Sequence, residues 1–186
     1  MHNDKLILRV IELAGGKDIL NERLDKKLNE INEACNQNTD LIGRVLRAHL
    51  FVEHFMTRYI LSKRNEFENE SVERASFARK VDLIERCDVI VLNELTPGVR
   101  KLNKIRNKLA HNLFIELDSE SIDEFYKSSS FWSLRIELAK PNVPSMEPVA
   151  VIEDFAKHVG VCIDEILDPA SLSKFFSQAL SEQKNL

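Results

Sequence analysis

LIGRVLRAHLFVEHFMTRYILSK, residues 41–63, is a long helical pattern, and its reading decides the fold class. Ile42, Val45, Val52, Met56, Tyr59 and Ile60 recur at helical spacing along one face. Asn36, Asn38, Thr39 and Asp40 precede it as a polar break that offers N-cap oxygens. His49 and Glu53, four residues apart, sit on the edge of the apolar face. A charge held against a core needs a partner, so both are candidate positioning residues and not merely solvated surface.

Helical patterns continue on either side. Residues 4–13 are stopped by Gly15-Gly16, and 18–36 carry Ile19, Leu20, Leu24, Leu28 and Ile31. Residues 65–73 read as a polar loop. Phe77, Val81, Ile84 and Val91 line one side of 77–94. Thr96-Pro97 predicts a new helix start, an N-cap oxygen followed by Pro at the first helical position. That helix ends near Asn112. Then the period shifts to two: Leu113, Ile115 and Leu117, and later Trp132, Leu134, Ile136 and Leu138, alternate with other residues. Short strands are expected over 113–117 and 132–138. Ser121-Ile122-Asp123-Glu124 has the form of a capping box for one or two helical turns. Pro141, Pro144 and Pro148 mark a linker before closing helices over 149–167 and 171–180. The expected fold is mainly α, an antiparallel helix bundle with a short two-stranded element near 113–138. Residues 41–63 and 97–111 should pack antiparallel. The expected organisation is N-terminal helices over 1–37, a helical core over 38–115, and an acidic extension over 116–186 packed on that core as one compact unit.

Composition agrees. In 186 residues, 44% are hydrophobic and 30% charged, enough for a core without disulfides or metals. Five Gly and five Pro are too few for an all-β chain rich in turns. No apolar run reaches transmembrane length, and the start lacks the basic and apolar regions of a signal peptide. Cys35, Cys87 and Cys162 are far apart and odd in number, which suits free thiols in a reducing, cytoplasmic setting. A net charge of -4 excludes generic nucleic-acid binding by the whole chain. The charge is uneven, with a surplus of three positive charges over 1–115 and of seven negative ones over 116–186.

Between Glu94 and Glu116 there is no acid, while Arg100, Lys101, Lys104, Arg106 and Lys108 are all basic. This stripe suits a phosphate-bearing partner; a solvated helix face is the plainer reading. No Gly-rich phosphate loop, His-Glu-x-x-His or Cys-x-x-Cys is present. Asp154, His158 and Cys162 share one helix face by spacing, but no fourth ligand is suggested nearby, so neither a metal nor a cofactor is expected.

Leu102-Asn103-Lys104-Ile105-Arg106-Asn107-Lys108-Leu109-Ala110-His111-Asn112 resembles the signature of the HEPN superfamily, an Arg followed by four to six residues and a His, often with a polar residue after the Arg. The stretch Ile-Arg-Asn-Lys-Leu-Ala-His is also similar to mannitol-operon-repressor-like proteins. The likeness covers roughly residues 38–115. For HEPN ribonucleases the resemblance implies a helical bundle, a homodimer with facing motifs, and metal-independent cleavage in which the RNA 2′-hydroxyl attacks the adjacent phosphate. It makes Arg106, Asn107 and His111 the catalytic candidates. His111 would move protons, Arg106 would hold the phosphate, and Asn107 would position a phosphate oxygen or the imidazole. Arg100, Lys104 and Lys108 are the candidate phosphate- or RNA-binding cations. Some family toxins carry a Tyr two residues after the His as a target for an antitoxin; here that position is Leu113.

On one straight helix Arg106 falls in the apolar stripe of Val99, Leu102, Ile105, Leu109 and Leu113, while His111 lies roughly 140° away. Either the helix ends near His111 or a second subunit completes the site. The economical partner for Arg106 is Glu53, with His49 close by; a pair that merely fixes helix register is the alternative. The leading expectation is an endoribonuclease of a toxin–antitoxin or phage-defence system, with RNA as substrate and an antitoxin or regulator as a protein partner. The alternatives are a non-catalytic mannitol-repressor-like regulator acting through protein contacts, and a HEPN domain that only binds nucleotide or RNA.

Overall fold

The computed structural model describes residues 2–36, 38–67, 71–112, 115–172, 174–176 and 178. The chain divides into two compact units, Met1–Asn38 and Thr39–Leu186. The first holds α1 (His2–Leu13) and α2 (Lys17–Cys35). The two glycines between them have positive φ, 91° at Gly15 and 118° at Gly16, which an L side chain rarely adopts. The second unit holds α3 (Thr39–Ser62), α4 (Phe77–Arg86), α5 (Ile90–His111), α6 (Ser129–Ala139) and α7 (Pro148–Leu167), with short 3₁₀ turns between. No strand occurs among the described residues. The expected closing helix over 171–180 lies partly outside them; residues 172, 174–176 and 178 are helical.

Helix α3 is central. Val45, Val52, Tyr59 and Ile60 are fully buried, as their spacing predicts. His49 stacks on Phe77, Glu53 meets Lys80 and Tyr59 meets Cys87, so α4 runs in the same direction as α3. Arg44 meets Glu153 and Arg58 meets Asp164, so α7 does too. Helix α5 runs the other way. Its C-terminal Asn103 contacts His49, while Leu92 and Leu95 share a small void with Met56. Residues 41–63 and 97–111 are therefore antiparallel as expected, in α3 and α5, while α4 and α7 run parallel to α3. Connectivity allows this: the connection between Ser62 and Phe77 is long enough to return α4 toward the start of α3, while α7 follows the oppositely directed α5 and needs no such return.

The helices touch closely where α5 and α7 cross. A Cβ at Gly98 would lie 2.4 Å from Phe155, whose ring is buried. Helix α7 is clamped to α3 by charge as well. Arg44 donates to Glu153 from Nε at 3.2 Å and from Nη2 at 2.8 Å, and Arg47 Nη2 adds a third bond at 2.6 Å. Hydrogen bonding from Arg44 is the main reason the Glu153 carboxyl falls to about 2, with burial opposing and Arg47 assisting. A carboxyl depressed in the folded state stabilises the fold above its unfolded value and loses that stabilisation as pH drops through its folded value. The shift corresponds to about 3 kcal/mol, reduced to about 2 kcal/mol by the solvent exposure of both arginines. Glu153→Gln should therefore cost about 2 kcal/mol near neutral pH and progressively less as pH falls through ~2. Urea unfolding across that range checks it, and an equal cost at both ends would contradict the clamp.

Several local readings are corrected. Thr96-Pro97 does not start a helix, because α5 begins seven residues before Pro97 at Ile90, after a tight turn in which Asp88 takes a φ of 50°. Burial of Leu92 and Leu95 draws the two preceding turns into the core. Pro97 costs the helix the bond to the Asn93 carbonyl, and the Thr96 hydroxyl instead donates to the Leu92 carbonyl at 3.1 Å. The strand expected over 132–138 is α6. Its N-terminus is capped by Ser128, which accepts from the Phe131 amide, and by Glu94 of α5, which accepts from the Ser129 and Ser130 amides. Of the strand expected over 113–117, Leu113 and Phe114 lie outside the described residues, and 115–117 have no regular structure. The box at 121–124 is also rearranged. Asp118 is the cap, accepting from the Ser121 amide and hydroxyl, and the following turns are 3₁₀.

Candidate functional site

Helix α5 carries the motif without interruption and ends on His111. Its last carbonyls are partly satisfied by Asn112, whose amide and side chain both donate to the Lys108 carbonyl. A straight helix through His111 keeps the offset of roughly 140° between Arg106 and His111. Arg106 is half-buried, and Asn107 and His111 are exposed. Arg106 Nη1 donates to Asn107 Oδ1 at 3.0 Å, so the guanidinium leans toward the face that Asn107 shares with His111.

Beneath Arg106 lies a polar cluster made where α3, α4 and α5 meet. His49 is buried, stacks on Phe77 at 4.0 Å, and contacts Asn103 Oδ1 through Nε2 at 3.1 Å. Burial chiefly holds His49 below its ordinary value; Asn103 and Glu53 oppose, and the charges of Arg106 and Lys80 assist. Arg106 is therefore close enough to be felt by the imidazole, which is neutral at pH 7. His49 Nδ1 is buried without a hydrogen-bond partner.

The pairing expected between Glu53 and Arg106 is not formed. Glu53 Oε1 sits 2.7 Å from Lys80 Nζ. Lys80 is 5% exposed and cannot keep its ammonium in water, so it takes the carboxylate. Arg106 reaches solvent and has no such need. Lys80 and Asn103 are the members of this cluster that the sequence reading did not single out, and Phe77 was read only as part of an apolar face. The signal for Lys80 was present, since Phe77, Lys80, Val81 and Ile84 follow the helical repeat of a buried face.

The basic stripe is divided. Arg100, expected to bind phosphate, is held by Asp82 at 2.8 Å and Glu85 at 2.7 Å, and its charge is answered by α4. Lys101, Lys104 and Lys108 border a groove of about 440 Å³ whose other wall is Ile115–Ser121. That wall brings Glu116, Asp118 and Glu120 to the lysines, and Lys101 Nζ donates to the Glu120 carbonyl at 3.2 Å. Lys104 and Lys108 are exposed. Asn107 and His111 thus share the exposed side of α5, Arg106 reaches toward it through Asn107 from roughly 140° away from His111, and the lysine groove with its acidic wall borders the same helix.

The chain matches no family model, no curated protein and no solved structure. The site therefore stands on its own residues. His158, which shares a helix face with Asp154 and Cys162, is buried, and Asp154 pairs with Arg135. No group of three or more metal-binding side chains occurs among the described residues.

Proposed function

We propose that this protein is a metal-independent endoribonuclease of the HEPN type, with His111 as the proton-transfer group and Arg106 as the phosphate-holding cation. The observation that carries the reading is the hydrogen bond from Arg106 to Asn107 on the exposed side of α5, at the end of which His111 is open to solvent. A guanidinium that reaches solvent and an exposed imidazole at the end of the same helix can together serve phosphate chemistry: five N–H donors for the anion and a ring nitrogen that can pass a proton. Lys104 and Lys108 supply backbone contacts. The wall 115–121 competes for that groove and would have to yield to RNA. A homodimer with facing α5 helices would close the angular gap between Arg106 of one protomer and His111 of its partner. The setting proposed is toxin–antitoxin or phage defence.

The purified chain should cut single-stranded RNA in EDTA and leave 2′,3′-cyclic phosphate ends. DNA should be spared, since it lacks the 2′-hydroxyl nucleophile. Cleavage that needs added Mg²⁺ would overturn the mechanism. The dimer is checked by light scattering at micromolar concentration; a strict monomer that retains full activity would remove the two-protomer site.

A regulator acting through protein contacts is the second reading, and one observation favours it. In the first unit no residue of α2 is buried, and Leu6, Leu13, Leu24, Leu28 and Ile31 are exposed. Two amphipathic helices with open apolar faces suit a protein partner. Absence of RNA cleavage by wild type, with loss of partner binding on Leu24→Asp and Leu28→Asp, would move this reading to first place.

A further inference from the structure

Within the first unit no described residue is buried, and besides Ala34 only Ile11, Ala14, Gly16 and Leu20, around the Gly15-Gly16 turn, are half-buried. Helix α1 spans 12 residues and α2 spans 19. A lone helix of about 12–15 residues is marginal in water, and most helices in proteins are held by a packed apolar face. Here the apolar faces are open. Five large apolar side chains of α1 and four of α2 are between 44% and 71% exposed. Together they present on the order of 1,000 Å² of apolar surface, more than a monomer usually shows and enough for the ~800 Å² that each partner gives to a stable dimer.

The sequence of α2 says what fits this surface. Asn21, Leu24, Leu28, Ile31 and Cys35 follow one another in steps of three and four, the spacing of a seam between two helices. Lys27 and Arg23 border the seam on one side, with Glu30 behind them, and Asp25 and Asp18 border the other. Two parallel copies of α2, related by a two-fold axis along the seam, set the cationic border of each against the acidic border of the other. An antiparallel pair would set like borders together. Parallel pairing also puts Asn21 opposite Asn21 of the partner subunit, and a lone polar residue in such a seam fixes its register. The first unit carries six basic and seven acidic residues, so two copies meet with little net repulsion.

We propose that the first unit is a dimerisation surface for a second copy of this chain, with the two α2 helices parallel along the seam from Asn21 to Cys35. The seam is complementary to itself in apolar pattern and in charge, which a foreign partner would not require. The inference rests on neither functional reading: the two-protomer contact of the ribonuclease lies at α5, and the regulator reading leaves its partner open.

The test is oxidation of the full chain with diamide at micromolar concentration. Cys35 is free and exposed, and in the parallel pair it faces Cys35 of the partner subunit. A covalent dimer linked through Cys35 should form, and Cys35→Ser should abolish it. Asn21→Cys in the Cys35→Ser background should restore the link, two heptads along the same seam. Leu24→Asp combined with Leu28→Asp should lower the yield of the Cys35 link at least about tenfold, with circular dichroism showing that the helices of the second unit remain. Because the readout is a bond at a named position, it is independent of RNA cleavage and of the contact at α5. No Cys35-linked dimer when a maleimide still labels Cys35, or an undiminished yield in the Leu24–Leu28 variant, would overturn the proposal. So would a bond between positions 21 and 35 of different copies in Asn21→Cys alone, the mark of an antiparallel pair.

Discussion

Lys80→Ala should lower the unfolding free energy by about 3–5 kcal/mol, the cost of leaving one partner of a buried ion pair alone. The Lys80 side chain is 6% exposed and Glu53 27%, and the two lie 2.7 Å apart between α3 and α4. Removing the ammonium leaves the partly buried Glu53 carboxylate near His49 without its partner. Glu53→Gln should cost a comparable amount, because it strands the more deeply buried charge. Replacing both together with apolar residues of similar size, Lys80→Met with Glu53→Leu, should recover most of the loss, since a buried pair traded for packed apolar groups is often neutral or better. Urea unfolding of the two single variants and the double variant measures the coupling. Contacting partners are non-additive; losses that simply add would show that the two charges do not sense one another.

His111→Ala should reduce RNA cleavage by roughly 10²–10⁴-fold, the usual contribution of a general acid–base group. It should leave the fold within about 0.5 kcal/mol of wild type, as at other exposed positions. The position of Arg106 sharpens this test. Because Glu53 is committed to Lys80, and Arg106 is half-buried with Asn107 as its partner, Arg106→Ala does not strand a buried carboxylate. Its activity loss can therefore be read without a large correction for unfolding. Single-turnover cleavage and thermal melts of His111→Ala, Arg106→Ala and Asn107→Ala, compared with Lys104→Ala, separate chemistry from RNA binding. The lysine variant should weaken RNA binding in a salt-dependent way and leave the bound rate intact. A folded His111→Ala protein that cuts RNA at the wild-type rate would end the catalytic assignment.

Most of the helices could be read locally. Gly15-Gly16 separates α1 from α2, and the apolar repeats of α3, α4 and α7 fall on faces that are buried. These readings succeed because a repeat of three to four residues carries its own geometry. The misreadings share a cause in long-range contacts. Trp132 to Leu138 alternates like a strand, yet Glu94, 35 residues before the Ser129 it bonds, caps the segment into a helix and Phe131 and Arg135 become its buried pair. Thr96-Pro97 has every local mark of a helix start, but the packing of Leu92 and Leu95 extends the helix backwards through it.

The candidate site divides in the same way. Arg106, Asn107 and His111 are neighbours along the chain, so their residue types and spacing were legible, and so was the burial of His49 on the edge of an apolar face. Who neutralises whom was not. Lys80 for Glu53, Asp82 and Glu85 for Arg100, and the acidic wall beside Lys104 and Lys108 all join residues from different helices. By itself the chain determines the apolar faces of α3 and α4 and the break at Gly15-Gly16, because those follow from near neighbours; the helical state of 132–138 and the start of α5 do not. Only the tertiary structure decides the ion pairs, since the energy of a charge depends on its distance from an opposite charge and on the water around it. Packing sets both.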